Sequence, residues 1–561
     1  MRINSRAVGP LWGLAVACVF AGPLCLQGVR DGKLLVSIAV DTESYGLKSV
    51  SFESLLGGIR TPLYPVFLRL CGGLGNGATI VALQTIIYAA MVWGIFKDLS
   101  DLCRSRWTAF AAVLPFATGG IYIDYKNSLL PELLAAAFSF RALFVMISRS
   151  HGGGLIKKEC FAGLLVFLAI LTKPQYLFLV PVSLVTLFLA RRTRTAEAVA
   201  EMRFNLVAGI GASVGPLLAY ASLRFLLVGH FGLVSFGGAN LAGIALNPLF
   251  FTQEFVDQIK DNELQSAAQD ILSLRMHLLQ QKRNDSSFKL HDTNLDPEQV
   301  LDETRLSTLP LYDAVSVAYN ANVWDVGRPA LLLRYEETNI GEELVNVKVD
   351  RVLSSISSAA LTYNLRLYVR WLMLASIEAM NRVVRYDGVS ARMVTLLCSI
   401  VIVASIAAVF DNLRRSSRIV RRYAMVTSAS ALVVCCAYPT KVLGLVAGVW
   451  GWIPGTIAPL LLPAGTVVAG LIFACEYCLF SRADAEVSPV QSQYEYMLAC
   501  IALYFVGGVG LVIAVEVPLD RYLMTVTPPL VSAVVVLTSC LLRSMLSRSL
   551  VSRGEQSRVN G

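Results

Sequence analysis

Charge is scarce in this chain. Only 16% of its 561 residues are Asp, Glu, Lys or Arg, where a soluble domain carries about a quarter. Histidine is scarcer still, and His151, His230, His277 and His291 lie too far apart in sequence to suggest a metal cluster. There is no P-loop, no GxGxxG after a strand, no HExxH and no GxSxG, which argues against an ATP-driven pump and the common soluble enzyme classes. Cysteines such as Cys18, Cys398, Cys435, Cys436 and Cys540 are scattered through apolar runs, and none falls within 231–390, so a disulfide scaffold is excluded. Cys475 and Cys478 form a CxxC without a second pair, and read as small apolar residues of a helix. Ionisable residues within the apolar runs are few. Arg141 is the clearest, expected to snorkel toward an aqueous face, and the scarcity weighs against a coupled transporter.

What the chain has in abundance is apolar sequence in long blocks, 55% hydrophobic overall. Runs long enough to cross a bilayer of about 30 Å occur near 8–29, 78–97, 107–124, 128–148, 205–229, 393–411, 423–440, 456–479, 496–515 and 527–546. The run 160–190 is too long for one helix and contains "TKPQY", so it splits at a tight turn over Lys173–Tyr176. The first run is too long for a signal peptide and reads as an uncleaved span. The expected fold is an all-α polytopic integral membrane protein with about twelve transmembrane helices and a large extracytoplasmic insertion.

The net charge of +9 would suit nucleic acid, but its distribution points to topology instead. Arginines cluster in short loops such as "RRTRT" (191–195) and "RRSSRIVRR" (414–422), while the alternate turns receive single cations, Lys126, Lys173, Lys441 and Arg521. The positive-inside rule then places both termini in the cytoplasm of an inner (plasma) membrane protein, with no nucleic-acid partner. The domains read as a transmembrane module over 1–230, an extracytoplasmic insertion over 231–390, further transmembrane helices over 391–546 and a cytoplasmic tail over 547–561. The insertion has helix-like stretches between 251 and 283. It closes on "ALTYNLRLYVRWLMLASIEAMNRVVRY", an expected interfacial helix with aromatic and arginine anchors.

This topology sends the polar motifs to one membrane boundary. "AVDTESY" places Asp41, Glu43 and Tyr45 just after the first span, and "RTPLYP" places Arg60 and Tyr64 before the second. "GIYIDYKNSLLPELL" supplies Asp124, Lys126 and Glu132, "LTKPQY" supplies Lys173, and "VEVPLDRYLMTVTPPL" supplies Glu516, Asp520, Arg521 and Tyr522.

A carboxylate after span one, R-x-P-x-Y-P, P-E-L-L, L-T-K-P and a late D-R-Y, in this order and on one side, resemble the GT-C membrane glycosyltransferases. The closest branch is that of bacterial aminoarabinose transferases and protein O-mannosyltransferases. The resemblance covers most of 1–230 and the last forty or so residues, and leaves 231–390 unmatched. One departure is that many relatives have adjacent Asp-Glu at the first motif, whereas Thr42 separates Asp41 from Glu43.

The resemblance implies an inverting enzyme that takes a sugar from a polyprenyl-phosphate donor and passes it to an envelope glycan, lipid or protein acceptor. Asp41 is expected as the general base, with Asp124 and Glu132 as further catalytic carboxylates. Glu43, Tyr45, Arg60, Tyr64, Lys126, Lys173, Arg521 and Tyr522 are expected to bind substrate, the cations meeting the phosphate leaving group. No protein metal site is expected, though a divalent cation is left open as a cofactor. The alternatives are a transporter or flippase of envelope precursors and a lipid-linked glycan polymerase or ligase.

Overall fold

A computed structural model describes residues 36–38, 40–46, 52–148, 155–192, 196–336, 342–384, 489–517 and 523–537, with isolated positions at 16–20, 467–475 and 539. Among these residues every regular element is a helix, and the one β contact is an isolated parallel bridge between Ser37 and Ser128. The expected spans at 8–29, 393–411, 423–440 and 456–479 lie outside the described residues apart from those isolated positions.

The chain enters through a 3₁₀ turn, Val40–Tyr45, and a short helix, Phe52–Gly57. Then come α1 (Leu63–Leu70), α2 (Gly77–Cys103), α3 (Arg106–Thr118), α4 (Gly120–Tyr125), α5 (Glu132–Ile147), α6 (Leu155–Thr172), α7 (Leu179–Arg192) and α8 (Ala196–Val228). Among the described residues, three helices are long and apolar enough to cross a membrane: Leu74–Cys103, Val207–Val228 and Gln493–Val515. They coincide with expected runs, because an uninterrupted apolar helix is what satisfies every backbone group in lipid.

Breaks occur where the backbone chemistry demands them. Pro174 forces Lys173 out of helical geometry, to φ −153° and ψ 118°, so the 160–190 run becomes α6, a 3₁₀ turn over Pro174–Phe178, and α7. The 107–124 run, expected as one span, is instead divided at Gly119, whose extended backbone separates α3 from α4. Arg141 reaches from α5 to pair with Asp98 near the end of α2, and Gly94 leaves the room, since a Cβ there would lie 2.5 Å from the Arg141 Nε.

α2, α5, α6 and α8 pack in succession, and α15 (Pro489–Val515) closes against α5 and α7. Their apolar faces form one core. A second core belongs to the insertion, built by α9 (Gly237–Ala245), α10 (Asn262–Asn284), α11 (Leu311–Ala321), α12 (Arg328–Glu336), α13 (Glu342–Tyr363) and α14 (Leu365–Val384). The helix-like stretches within 251–283 are two helices, Gln253–Asp257 and α10, each started by a side-chain cap, Thr252 and Asp261. In α14 the expected aromatic anchors face inward. Trp371 is fully buried, and Tyr368 donates its hydroxyl to the Ala514 carbonyl at 2.6 Å, at the last turn of α15.

Candidate functional site

Five of the residues that the motifs singled out form two groups, Glu132 with Lys173 and Tyr64 with Tyr45 and Arg60, whose segments are tied by hydrogen bonds. Glu132 opens α5, where Pro131 occupies the capping position, and Lys173 is the extended residue between α6 and Pro174. Lys173 Nζ donates to Glu132 Oε1 at 2.8 Å, and both side chains are nearly enclosed. Glu132 Oε2 is buried with no hydrogen-bond partner among the described residues. The main chain next to Lys173 is tied to the first outer segment, since Thr61 Oγ1 donates to the Thr172 carbonyl at 3.1 Å.

Tyr64 links this pair to the first motif. It is fully buried on α1, within electrostatic reach of Glu132. Its hydroxyl accepts from Gln84 Nε2 at 2.9 Å, and that same amide donates to the Leu130 carbonyl at 3.1 Å. Tyr45 meets Tyr64 edge to face at 5.4 Å, and the Arg60 guanidinium stacks on Tyr45 at 4.7 Å while Nε donates to Ser44 Oγ at 3.0 Å. Tyr45 closes the same 3₁₀ turn that carries Asp41 and Glu43 in its backbone; the side chains of those two residues lie outside what is described.

Asp124 and Lys126, from the motif that supplies Glu132, are drawn alongside but do not join these contacts. Ser37 and Ser128 bridge through Ser37 N to the Asn127 carbonyl and Leu129 N to the Ser37 carbonyl, setting the 127–129 turn beside the approach to Asp41. Lys126 sits 5.9 Å from the Tyr122 ring, and Asp124 is exposed on α4. Among the described residues no hydrogen bond or ion pair joins either to Glu132 or Lys173. Arg521 and Tyr522 lie outside the described residues. Likewise, no three His, Cys, Asp or Glu side chains gather into a metal-binding set among the described residues.

Three contributors escaped the sequence reading. Gln84 is a lone amide in an apolar run, a polar group that needs a partner when buried, and this could have marked it. Arg224 was equally visible, a guanidinium in "YASLRFLLV". Fully buried, it donates Nε to the Leu56 carbonyl at 2.5 Å, Nη1 to the Gly232 carbonyl at 2.7 Å and Nη2 to Ser235 Oγ at 2.7 Å. It thereby ties the short helix Phe52–Gly57 to the turn that opens the insertion. The third is Arg328, which follows a π-helical turn over Asn322–Gly327 and has no motif to announce it.

Chemically, these contacts put an enclosed ion pair close in the fold to a cation stacked on an aromatic ring. Comparison with known proteins finds no match to this chain among family models, curated proteins or solved structures. The fold and the site together define an all-helical protein with helices able to cross a membrane and a polar cluster assembled from four separate segments.

Proposed function

We propose that this protein is a polyprenyl-phosphate-dependent glycosyltransferase of the inner membrane, acting at its outer face. About twelve spans would hold the site at the boundary, with residues 231–390 outside and both termini in the cytoplasm. The observation that carries the reading is that the stacked group Arg60–Tyr45–Tyr64 is tied to the segments bearing the Glu132–Lys173 pair, through Gln84 to the Leu130 carbonyl and Thr61 to the Thr172 carbonyl, which draws together four motifs spread over more than a hundred residues. Packing alone needs no buried lysine, and burying one costs several kcal/mol unless it is paired.

In this reading the acceptor hydroxyl attacks the anomeric carbon of the donor. The new C–O bond forms as the sugar–phosphate C–O bond breaks, Asp41 takes the acceptor's proton, and the lipid phosphate departs with its electron pair. Lys173, held in place by its pairing with Glu132, and Arg60 stabilise the phosphate as its charge grows. Burial of Glu132 Oε2 and Gln84 Oε1 without donors supplies acceptors for sugar hydroxyls or water. The donor's tail stays in lipid, which accounts for an enzyme built almost wholly of apolar helices.

The test is transfer of label from a panel of polyprenyl-phosphate sugars by the purified protein in detergent, with no gradient. An enzyme consumes donor under these conditions; a transporter or flippase leaves it intact, and a polymerase or ligase would demand a pyrophosphate-linked donor. Reporter fusions at residues 300 and 418 should fall on opposite sides of the membrane, and the same side for both would remove the topology on which the site depends.

A further inference from the structure

Arg60 and Arg328 converge on one ring. Their guanidinium carbons lie 5.6 Å and 5.5 Å from the centre of Phe236. Arg60 also stacks on Tyr45, and Arg328 lies 5.4 Å from the centre of Trp324. Two of these five residues come from the first outer segment and three from the insertion, so the cluster is the seam between them.

The seam is built, not incidental. Phe236 sits at the N-terminal boundary of α9, on the turn that Arg224 fixes through Gly232 and Ser235. α9 is pressed against α13 closely enough that a Cβ on Gly238 would lie 2.1 Å from the Asp350 carbonyl oxygen. On the other side, the π-helical turn Asn322–Gly327 delivers Trp324 and Arg328 to Phe236. Single π turns within α-helices recur where side chains must be presented for function.

Arg328 is electrostatically unfinished. Its Nη2 donates to Asn346 Oδ1 at 2.8 Å, a neutral partner. No carboxylate among the described residues comes within ion-pair distance of it. The acid that acts on it from further off, Asp350, has its Oδ1 committed to the amides of Gly238 and Ala239 at 2.8 and 3.2 Å. Burial pulls the Arg328 guanidinium below its ordinary value, Asp350 offsets part of that, and Arg60 pulls it down further. A half-buried guanidinium held near a second one, with no ion-pair partner, is a site that an anion would complete.

We propose that Arg60 and Arg328 together bind a phosphoryl group, with Phe236 as the spacer that holds the two guanidiniums toward it. A phosphate can accept paired N–H donors from each planar fork, which a lysine cannot reproduce. That the phosphate is carried on a polyprenyl lipid rests on the function proposed above; the binding of phosphate at the seam does not. The insertion thereby contributes a side chain to the site, and the donor pocket is complete only when it is docked.

The test uses full-length protein in lipid nanodiscs and compares three probes: a polyprenyl monophosphate, the polyprenol of the same chain length, and inorganic phosphate. Affinities are measured for wild type, Arg328→Ala, Arg328→Lys and Arg60→Ala, each with its unfolding midpoint. Loss of one charge-assisted pair should weaken polyprenyl-monophosphate binding by about tenfold to a hundredfold. Polyprenol binding should be unchanged, and Arg328→Lys should recover only part of the loss. Competition by inorganic phosphate at comparable affinity would assign the site to free phosphate; competition only at large excess would assign it to the lipid.

Equal loss for phosphate and alcohol probes would mean that Arg328 acts through packing and would overturn the proposal. So would wild-type affinity in Arg328→Ala, or a wild type that does not distinguish phosphate from alcohol. If the phosphate preference depends on both arginines but no labelled sugar is ever transferred, the glycosyltransferase reading fails and this site stands. If Arg328→Ala binds and transfers normally, the reverse holds.

Discussion

Lys173 Nζ lies 2.8 Å from Glu132 Oε1, in a pocket that leaves 11% of the lysine side chain and 4% of the glutamate side chain exposed. The two residues stand at the starts of two elements, α5 and the turn after α6, and each has a proline beside it, Pro131 and Pro174. Their enclosure makes the pair sensitive to the loss of either member.

Removing one partner leaves an uncompensated buried charge, which costs about 3–5 kcal/mol. Glu132→Gln and Lys173→Met should each lower the unfolding midpoint in detergent by that order, and the double variant should recover most of it. Turnover should stay lost in all three, because the cation that meets the phosphate is disabled or gone. A double variant that transfers sugar like wild type would reduce the pair to a structural brace.

Asp41→Asn keeps the shape of the side chain and removes its capacity to take a proton. General-base catalysis contributes about 10²–10⁴-fold, so turnover in membranes matched for protein level should fall by that order. Glu43→Gln should cost much less. Wild-type turnover in Asp41→Asn would dismiss that residue as the base, and a dead Glu43→Gln would move the assignment two residues on.

Neighbouring glycines at the start of α9 should behave differently. A Cβ on Gly238 would meet the Asp350 carbonyl oxygen at 2.1 Å and the Ser354 amide at 2.6 Å, both backbone atoms that no rotamer change can move, whereas Gly237 has open space around it. Gly238→Ala should therefore destabilise by about 1–3 kcal/mol or more. Gly237→Ala should be near neutral. Hydrogen exchange along α9 and α13 reads both, and equal protection in the two variants would contradict the close packing described.

Asp350 makes this same contact pH-dependent. Burial pushes its carboxyl up to about 6, against the opposing pull of the Ala239 and Gly238 amides and of Arg328 and Arg224. Between pH about 4 and about 6 the folded protein holds this proton while the unfolded chain has released it. The contribution of Asp350 to stability therefore falls as pH rises through that window and is level above it. The difference in unfolding midpoint between wild type and Asp350→Asn, followed from pH 4 to 7, should trace that fall. A difference that does not change with pH would place the carboxyl at its ordinary value.

The face that α14 turns outward is a stripe of Leu365, Val369, Met373 and Ile377, between 39% and 63% exposed, with Arg366 and Arg370 exposed beside it. Tyr368 ties this helix to the end of α15, and if the stripe lies at a membrane boundary its apolar groups enter the acyl region and its arginines meet the headgroups. Nitroxide labels at 365, 369, 373 or 377 in nanodiscs should be accessible to oxygen and shielded from an aqueous relaxer, and a label at exposed Thr362 should show the reverse. Labels on the stripe that answer to the aqueous relaxer would show that it does not enter lipid.

By itself the sequence determined the helical class, three of the helices that can cross a membrane, and the break at Lys173. These follow from local chemistry, since a run of apolar residues needs an internally bonded backbone and a proline excludes its predecessor from helix. It also marked Arg60, Tyr64, Glu132 and Lys173 one by one. It could not show that these meet, because contacts across more than a hundred residues depend on how α1, α5 and α6 pack. The same limit hid two further contacts: Arg141 found Asp98 because Gly94 cleared the space, and Trp371 turned inward because α14 had a second core to cover. Arg328 entered the site only through a π turn and a seam between two cores, and neither has a period that a linear pattern can carry.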